Sequence, residues 1–289
     1  MEQDRDLLGY TWAERPDAAM RGYVETDWIW DDPASVEVQA FWNSYTANAV
    51  AFATMADTLG VDMISLGVET DGLFRTEYAA YLTGSSSALF ESVDVAYDGL
   101  ITYDMHWGTY DTTDDIEFEA NMDLWETVPF DVIGVSAWIP LRTATYTAPL
   151  GKAVYDAEWD VVLADRLTEV HTRFPTTPVV FTEFGYTDYV DAGYSVDEHT
   201  NESRTDPTDT DGETTQSEIY AAFYDAREST YCDVVEGTFL WADGPLLDTD
   251  WDAYAADYHT TGVRPWTYGT LNHTLSSDVV EAAYGAWED

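Results

Sequence analysis

The sequence predicts an α/β chain built from repeated βα units, and three observations carry that prediction. Short β-type runs alternate with segments of helical periodicity over most of the chain. Each of those runs has an apolar stem and a polar or aromatic end. The 289 residues, 45% hydrophobic and 15% aromatic, suffice for one barrel-sized domain or two small ones with a sizeable core. Such a composition excludes disorder of the whole chain. No linker and no matching 20–50-residue repeat interrupts the rhythm, so residues 1–289 are read as a single domain.

Taken in order, residues 33–59 predict a helix, with Val38, Phe41, Trp42, Tyr45, Ala49, Phe52 and Met55 near 3.6 spacing. Gly60 stops it, and the first strand runs from Val61 to Glu69. Residues 78–93 look helical with an interruption at Gly84, and the second strand spans Leu100–Trp107. The third is Phe130–Trp138. A helix over 157–174 leads into the fourth, Pro178–Tyr186. Residues 187–213, rich in Asp, Thr, Ser and Gly, predict a long solvated loop. A helix over 214–229 precedes the fifth strand, Val234–Trp241, and a short helix over 276–287 closes the chain.

Charge excludes whole classes of partner. There are 56 acidic residues against 11 basic ones, of which only Lys152 is a lysine, and the net charge is −45. The acidic groups spread along nearly the whole chain, which reads as a halophile's solvated surface screened by salt. Nucleic acid is excluded, because phosphate binding needs Lys/Arg clusters that this chain lacks. No apolar stretch approaches 18 residues, so no membrane partner is expected, and the N-terminus has no signal-peptide pattern. A soluble protein follows, extracellular if the N-terminus is truncated. Cys232 is the single cysteine, which excludes an internal disulfide, and its apolar neighbours predict a buried, inert thiol.

The chemistry sits at the strand ends. Glu69, His106 with Trp107, Trp138, Glu183 and Trp241 each follow an apolar stem. In parallel barrels the carboxyl ends of strands converge on the active site. Two glutamates on separate strand ends are what glycoside hydrolysis needs: one protonates the leaving oxygen, the other attacks the anomeric carbon or activates water. The numerous Trp and Tyr residues, 12 and 20, suit sugar rings, whose C–H faces stack on aromatic planes.

The residues also carry a specific resemblance. Phe181-Thr182-Glu183-Phe184-Gly185-Tyr186 resembles the seventh, nucleophile strand of clan A glycoside hydrolases, and Ile64-Ser65-Leu66-Gly67-Val68-Glu69 their fourth. Within the clan the chain is most similar to family 113, a family of β-mannanases. That similarity includes Phe41 to Tyr45, Leu100 to Tyr103 with Trp107, Ile133 to Val135 with Pro140-Leu141, Gln216, and Gly237 to Trp241. The resemblance implies a (β/α)8 barrel of the triosephosphate-isomerase type, with strands four to eight recognisable and the first strands missing or unreadable. It implies Glu69 as acid/base and Glu183 as nucleophile of a retaining glycosidase, with a mannan-like polysaccharide or oligosaccharide as substrate and no cofactor. Trp241 becomes the floor under the cleaved sugar and Trp107 a cleft wall. His106, Trp138 and Tyr186 complete the expected substrate-binding set. The carboxylates of Glu69 and Glu183 should then lie about 5 Å apart, with Trp107, Trp138 and Trp241 sharing their cleft.

Three departures from the family pattern qualify that reading. Val68 precedes the acid/base where many clan members carry an Asn that contacts the sugar 2-hydroxyl. Trp138 replaces a Tyr on strand six, which removes the phenol expected to hydrogen-bond the nucleophile. Strands one to three have no counterpart, so the domain is expected to be incomplete at its N-terminus. All three features also suit a second reading, a catalytically silent carbohydrate-binding or structural barrel module. Asp209, Asp211 and Gly212 with Glu218 resemble part of a calcium loop, but Pro207 holds the first ligand position, so an acidic surface loop over 206–218 is expected and no metal site. The five histidines show no metal-ligand spacing. Asn201 and Asn272 head glycosylation-type triplets of a kind that chance often produces.

Overall fold

The computed structural model describes residues 36–68, 88–106, 122–187, 189–194, 210–240 and 279. Five strands alternate with helices along the chain: α1 (Val36–Leu59), β1 (Met63–Val68), α2 (residues 88–94), β2 (Leu100–His106), α3 (residues 122–127), β3 (Val132–Ala137), α4 (Lys152–Val162), α5 (Thr168–Arg173), β4 (Val179–Phe184), α6 (Thr210–Ala226) and β5 (Gly237–Leu240). The strands form one parallel sheet in the order β1-β2-β3-β4-β5, the order that successive βα units produce. All five strands fall where the apolar runs predicted them. The expected closing helix, the Gly84 interruption and most of the loop before α6 lie outside the described residues.

The described residues group into two compact units. One comprises residues up to Ser136 together with Arg173–Val180; the other comprises Ala137–Thr172 and the residues from Phe181 onward.

In the first unit, β2 pairs with β1 (Ile64 beside Ile101) and with β3 (Tyr103 beside Ile133, His106 beside Ser136). All six residues of β3 are buried, as expected of a strand covered on both faces. Ile101, Tyr103 and Met105 alternate into the core with Leu89 and Val93 of α2 and Met122, Leu124 and Trp125 of α3. The Asp131 carboxylate accepts the Ile101 backbone N–H at 2.8 Å, fixing the entry to β2. On α1 the buried stripe runs through Trp42, Ala53 and Ala56. Phe52 and Met55, expected in the core, are each 52% exposed, because small alanines occupy the inward face one position away.

The second unit is built on aromatic packing. Phe181 and Phe184 of β4 meet Phe223 of α6 at centroid distances of 5.6 and 4.6 Å, and Trp159 of α4 closes on Phe223 at 5.0 Å. These rings are fully buried. Stacked, tilted and edge-to-face pairs of this kind add about 0.5–1.5 kcal/mol each to the area they remove from water. The helix expected over 157–174 begins earlier, at Lys152, and passes through a π-helical turn at Leu163–Leu167 where Asp165 leaves helical geometry. Lys152 pairs with Asp156 and, at 2.7 Å, with Asp225, so the one lysine ties α4 to α6. Burial pulls the Lys152 pKa down, but hydrogen bonds and charge from both aspartates outweigh that and leave it raised.

Two expectations are overturned here. Cys232 is exposed: it lies in the turn after α6, where the next buried side chains are Val234 and Val235. The stretch around Asp211 is not a loop, because α6 starts at Thr210, and Thr187, Ala192 and Gly193 are buried. Among the described residues no helix is long and apolar enough to cross a membrane.

Candidate active site

Glu183 is the penultimate residue of β4, half-buried, between the fully buried Phe181 and Phe184. The apolar neighbours anchor the strand, so the carboxylate is carried at the strand's carboxyl end on a rigid stem. Trp138 directly follows β3 and is also half-buried. Its indole Nε1–H donates to Oε2 of Glu183 at 2.9 Å. Replacement of a phenol by an indole therefore keeps a donor on this carboxylate, contrary to the expectation from the family pattern. The reason is chemical: an indole N–H only donates, and an ionised carboxylate only accepts, so the pair is matched.

The segments that carry the two side chains are stitched together. Leu141 N and Arg142 N, after β3, both donate to the carbonyl of Gly193, after β4, at 2.8 Å. Gly193 N donates to the Tyr146 hydroxyl at 2.9 Å, which also accepts the Tyr155 hydroxyl at 2.8 Å. A Cβ on Gly193 would sit 2.9 Å from Tyr146 Oη and 3.1 Å from Tyr155 Cε1, so the approach needs glycine. Arg142 pairs with Glu158 of α4. On the other side, Thr215 of α6 donates to the Val190 carbonyl at 3.0 Å, and Glu218 accepts the Gly151 N–H at 3.1 Å. Glu218, on α6, thus has a structural partner in Gly151 at the start of α4, and the calcium-loop pattern is broken by the helix itself.

Tyr186, expected to bind substrate, does not face a cleft. It is 0% exposed, with its ring edge-to-face against Trp159, Phe184 and Tyr220, so no sugar ring reaches it. Its hydroxyl donates to the Ile139 carbonyl at 2.8 Å. Burial, followed by the neighbouring Tyr220, Tyr146 and Tyr155, pushes its pKa well above the ordinary tyrosine value. Desolvation likewise raises Tyr155, assisted by its bond to Tyr146.

The remaining expected site residues are placed only by the chain. Glu69, Trp107 and Trp241 lie outside the described residues, each immediately after the last residue of β1, β2 and β5. His106 ends β2, with its side chain outside the described set. The expected carboxylate separation and the shared tryptophan cleft therefore lie outside it too. Among the described residues no group of three or more His, Cys, Asp or Glu side chains is arranged to hold a metal ion.

Comparison with known proteins bears on this arrangement. The family model described as Glycoside Hydrolase Family 113 matches residues 14–261. A structure described as a complex of a family 113 β-1,4-mannanase is similar over 96% of this chain and 70% of its own, at 18% identity and a TM-score of 0.59. A second family 113 β-1,4-mannanase is similar over 92% and 69%, at 18% identity and 0.57. The family 113 β-mannanase AaManA from Alicyclobacillus acidocaldarius is similar over 88% and 64%, at 20% identity and 0.54. At these identities the structures establish the fold, a (β/α)8 scaffold. A search of curated proteins returns no match.

Proposed function

This chain belongs to glycoside hydrolase family 113 and is a glycosidase, and from that premise we propose that it cleaves a β-linked, mannan-like polysaccharide with retention of anomeric configuration. One observation carries the assignment to particular residues: Glu183 stands at the end of β4 with an indole N–H directed onto its carboxylate. In this reading the Glu183 carboxylate attacks the anomeric carbon and forms a glycosyl ester, while the glycosidic C–O bond breaks and Glu69 gives its proton to the departing oxygen. Water then attacks the same carbon, Glu69 takes its proton, and Glu183 leaves as the free carboxylate. Trp107 and Trp241, which directly follow β2 and β5, provide the stacking surfaces for sugar rings.

The test is hydrolysis of β-1,4-mannan in about 2 M KCl, with salt chosen to screen the acidic surface. Proton NMR of the first product reads the anomer. Retention, and loss of turnover in both Glu69→Gln and Glu183→Gln, support the reading; an inverted product or an active Glu183→Gln variant sinks it. Val68 favours a second reading, a carbohydrate-binding module without turnover. It is 46% exposed at the end of β1 and has no polar atom to offer a sugar hydroxyl. Binding of manno-oligosaccharide with no hydrolysis by the folded wild-type chain would establish that alternative.

A further inference from the structure

We propose that Tyr186 is a positioning residue for this reaction, acting through Trp138 to hold its indole N–H on the Glu183 carboxylate; the proposal rests on the reading of Glu183 as nucleophile. Three observations converge on it. The Tyr186 hydroxyl donates to the carbonyl of Ile139, the residue bonded to Trp138, at 2.8 Å. Its backbone is held at both polar atoms by α6: the carbonyl accepts Gln216 Nε2 at 2.7 Å, and the N–H donates to Tyr220 Oη at 3.3 Å. Tyr186 also lies only three residues beyond Glu183. One side chain thus ties the segment carrying the nucleophile to the segment carrying its donor.

The placement has a chemical logic. Ile139 is 1% exposed and Gln216 is fully buried, so water does not compete for these bonds. The ring of Tyr186 is fixed on three sides by aromatic edges, which leaves the hydroxyl one direction. A phenylalanine would fill the same space; the hydroxyl adds only the bond to Ile139. Because burial keeps the phenol protonated, it remains a donor across the pH range in which a glycosidase is assayed. Loss of this bond frees the Ile139 peptide plane and, with it, the direction of the Trp138 indole. Misplacement of this size costs rate without removing any reacting group.

The experiment is a double-mutant cycle on the full chain in high salt, with wild type, Tyr186→Phe, Trp138→Phe and the double variant. Below each melting temperature, kcat, kcat/KM and the acidic limb of the pH profile are measured. Tyr186→Phe should lower kcat by about threefold to tenfold, leave kcat/KM unchanged or raised, and move the acidic limb upward. In the Trp138→Phe background the same substitution should change none of these, because the contact it serves is already gone. Wild-type kinetics in Tyr186→Phe, or an equal effect in both backgrounds, overturns the proposal. Where Tyr186→Phe does not fold, Gln216→Met, which removes the donor to the Tyr186 carbonyl, enters the same cycle with the same criteria. Inactivity of the wild type, or activity of Glu183→Gln, would instead overturn the nucleophile assignment, so the two failures are separable.

Discussion

Replacing Trp138 by phenylalanine removes the 2.9 Å bond from the indole N–H to Glu183. Most of the ring volume stays, and a charge-assisted hydrogen bond worth about 1.5–3 kcal/mol is lost. Its effect on the two chemical steps should differ in sign. With Glu183 as the proposed nucleophile, its negative charge disperses during attack and the bond weakens, so the donor stabilises the ground state more than the transition state. When the glycosyl ester breaks, charge returns to the carboxylate and the bond strengthens. If the departing carboxylate carries about half a charge, about 0.8–1.5 kcal/mol of the bond is felt in that transition state, a slowing of roughly 4- to 12-fold. Trp138→Phe should therefore lower kcat by that factor, lower KM by at least as much, and leave kcat/KM unchanged or raised. Stopped-flow release of a nitrophenolate from a nitrophenyl β-mannoside in high salt should show a burst of accumulated intermediate. The acidic limb of kcat/KM should move upward, since a carboxylate without its donor protonates more readily. Trp138→Tyr, which returns a donor, should restore the wild-type kcat and KM. A proportional fall of kcat and kcat/KM with no burst would refute this account of the bond.

Three further outcomes follow from the same structure. With a net charge of −45, the folded chain should gain stability steeply between about 0.1 and 2 M KCl, as the Debye length falls below the spacing of surface carboxylates; a melting temperature that is flat or falling over that range at pH 7 would rule out the halophilic reading. Tyr155 and Tyr186 are buried with raised pKa values, so the folded chain holds these protons more tightly than the unfolded one. That stability is complete below pH 10 and declines as pH rises above it, by up to about 1.4 kcal/mol per pH unit for each tyrosine. Urea denaturation in high salt at pH 9, 10 and 11 reads the slope, and a midpoint unchanged to pH 11 would contradict it. Gly193→Ala places a methyl carbon 2.9 Å from Tyr146 Oη and should cost about 1–3 kcal/mol by overpacking; the same denaturation assay checks it, and a variant as stable as wild type would mean the loop has room to shift.

What could and could not be read in advance follows from how local each determinant is. Strands were legible because an apolar run of five or six residues bounded by turn residues depends on little else, and β3, buried at every position, is the clearest case. Helix starts were less so. α4 begins at Lys152, whose ion pairs with Asp156 and Asp225 carry no apolar periodicity, so the pattern began only further along. The side on which Tyr186 would face was not legible at all. It is set by partners 30, 34 and 47 residues away: Gln216 and Tyr220 on its backbone and Ile139 on its hydroxyl. Gln216 shows the same thing from the other end, since the family pattern marked it without disclosing its work. Trp138 illustrates a different gap. Its replacement of tyrosine is a loss only where residue identity is the determinant, whereas the carboxylate requires only an N–H or O–H donor at the right distance. That distance comes from the Gly193 and Tyr186 bonds that join the segments after β3 and β4. A departure from a family's residue is thus a departure from its chemistry only where the substitute cannot meet the same partner. Here the partner is an acceptor, and the indole meets it.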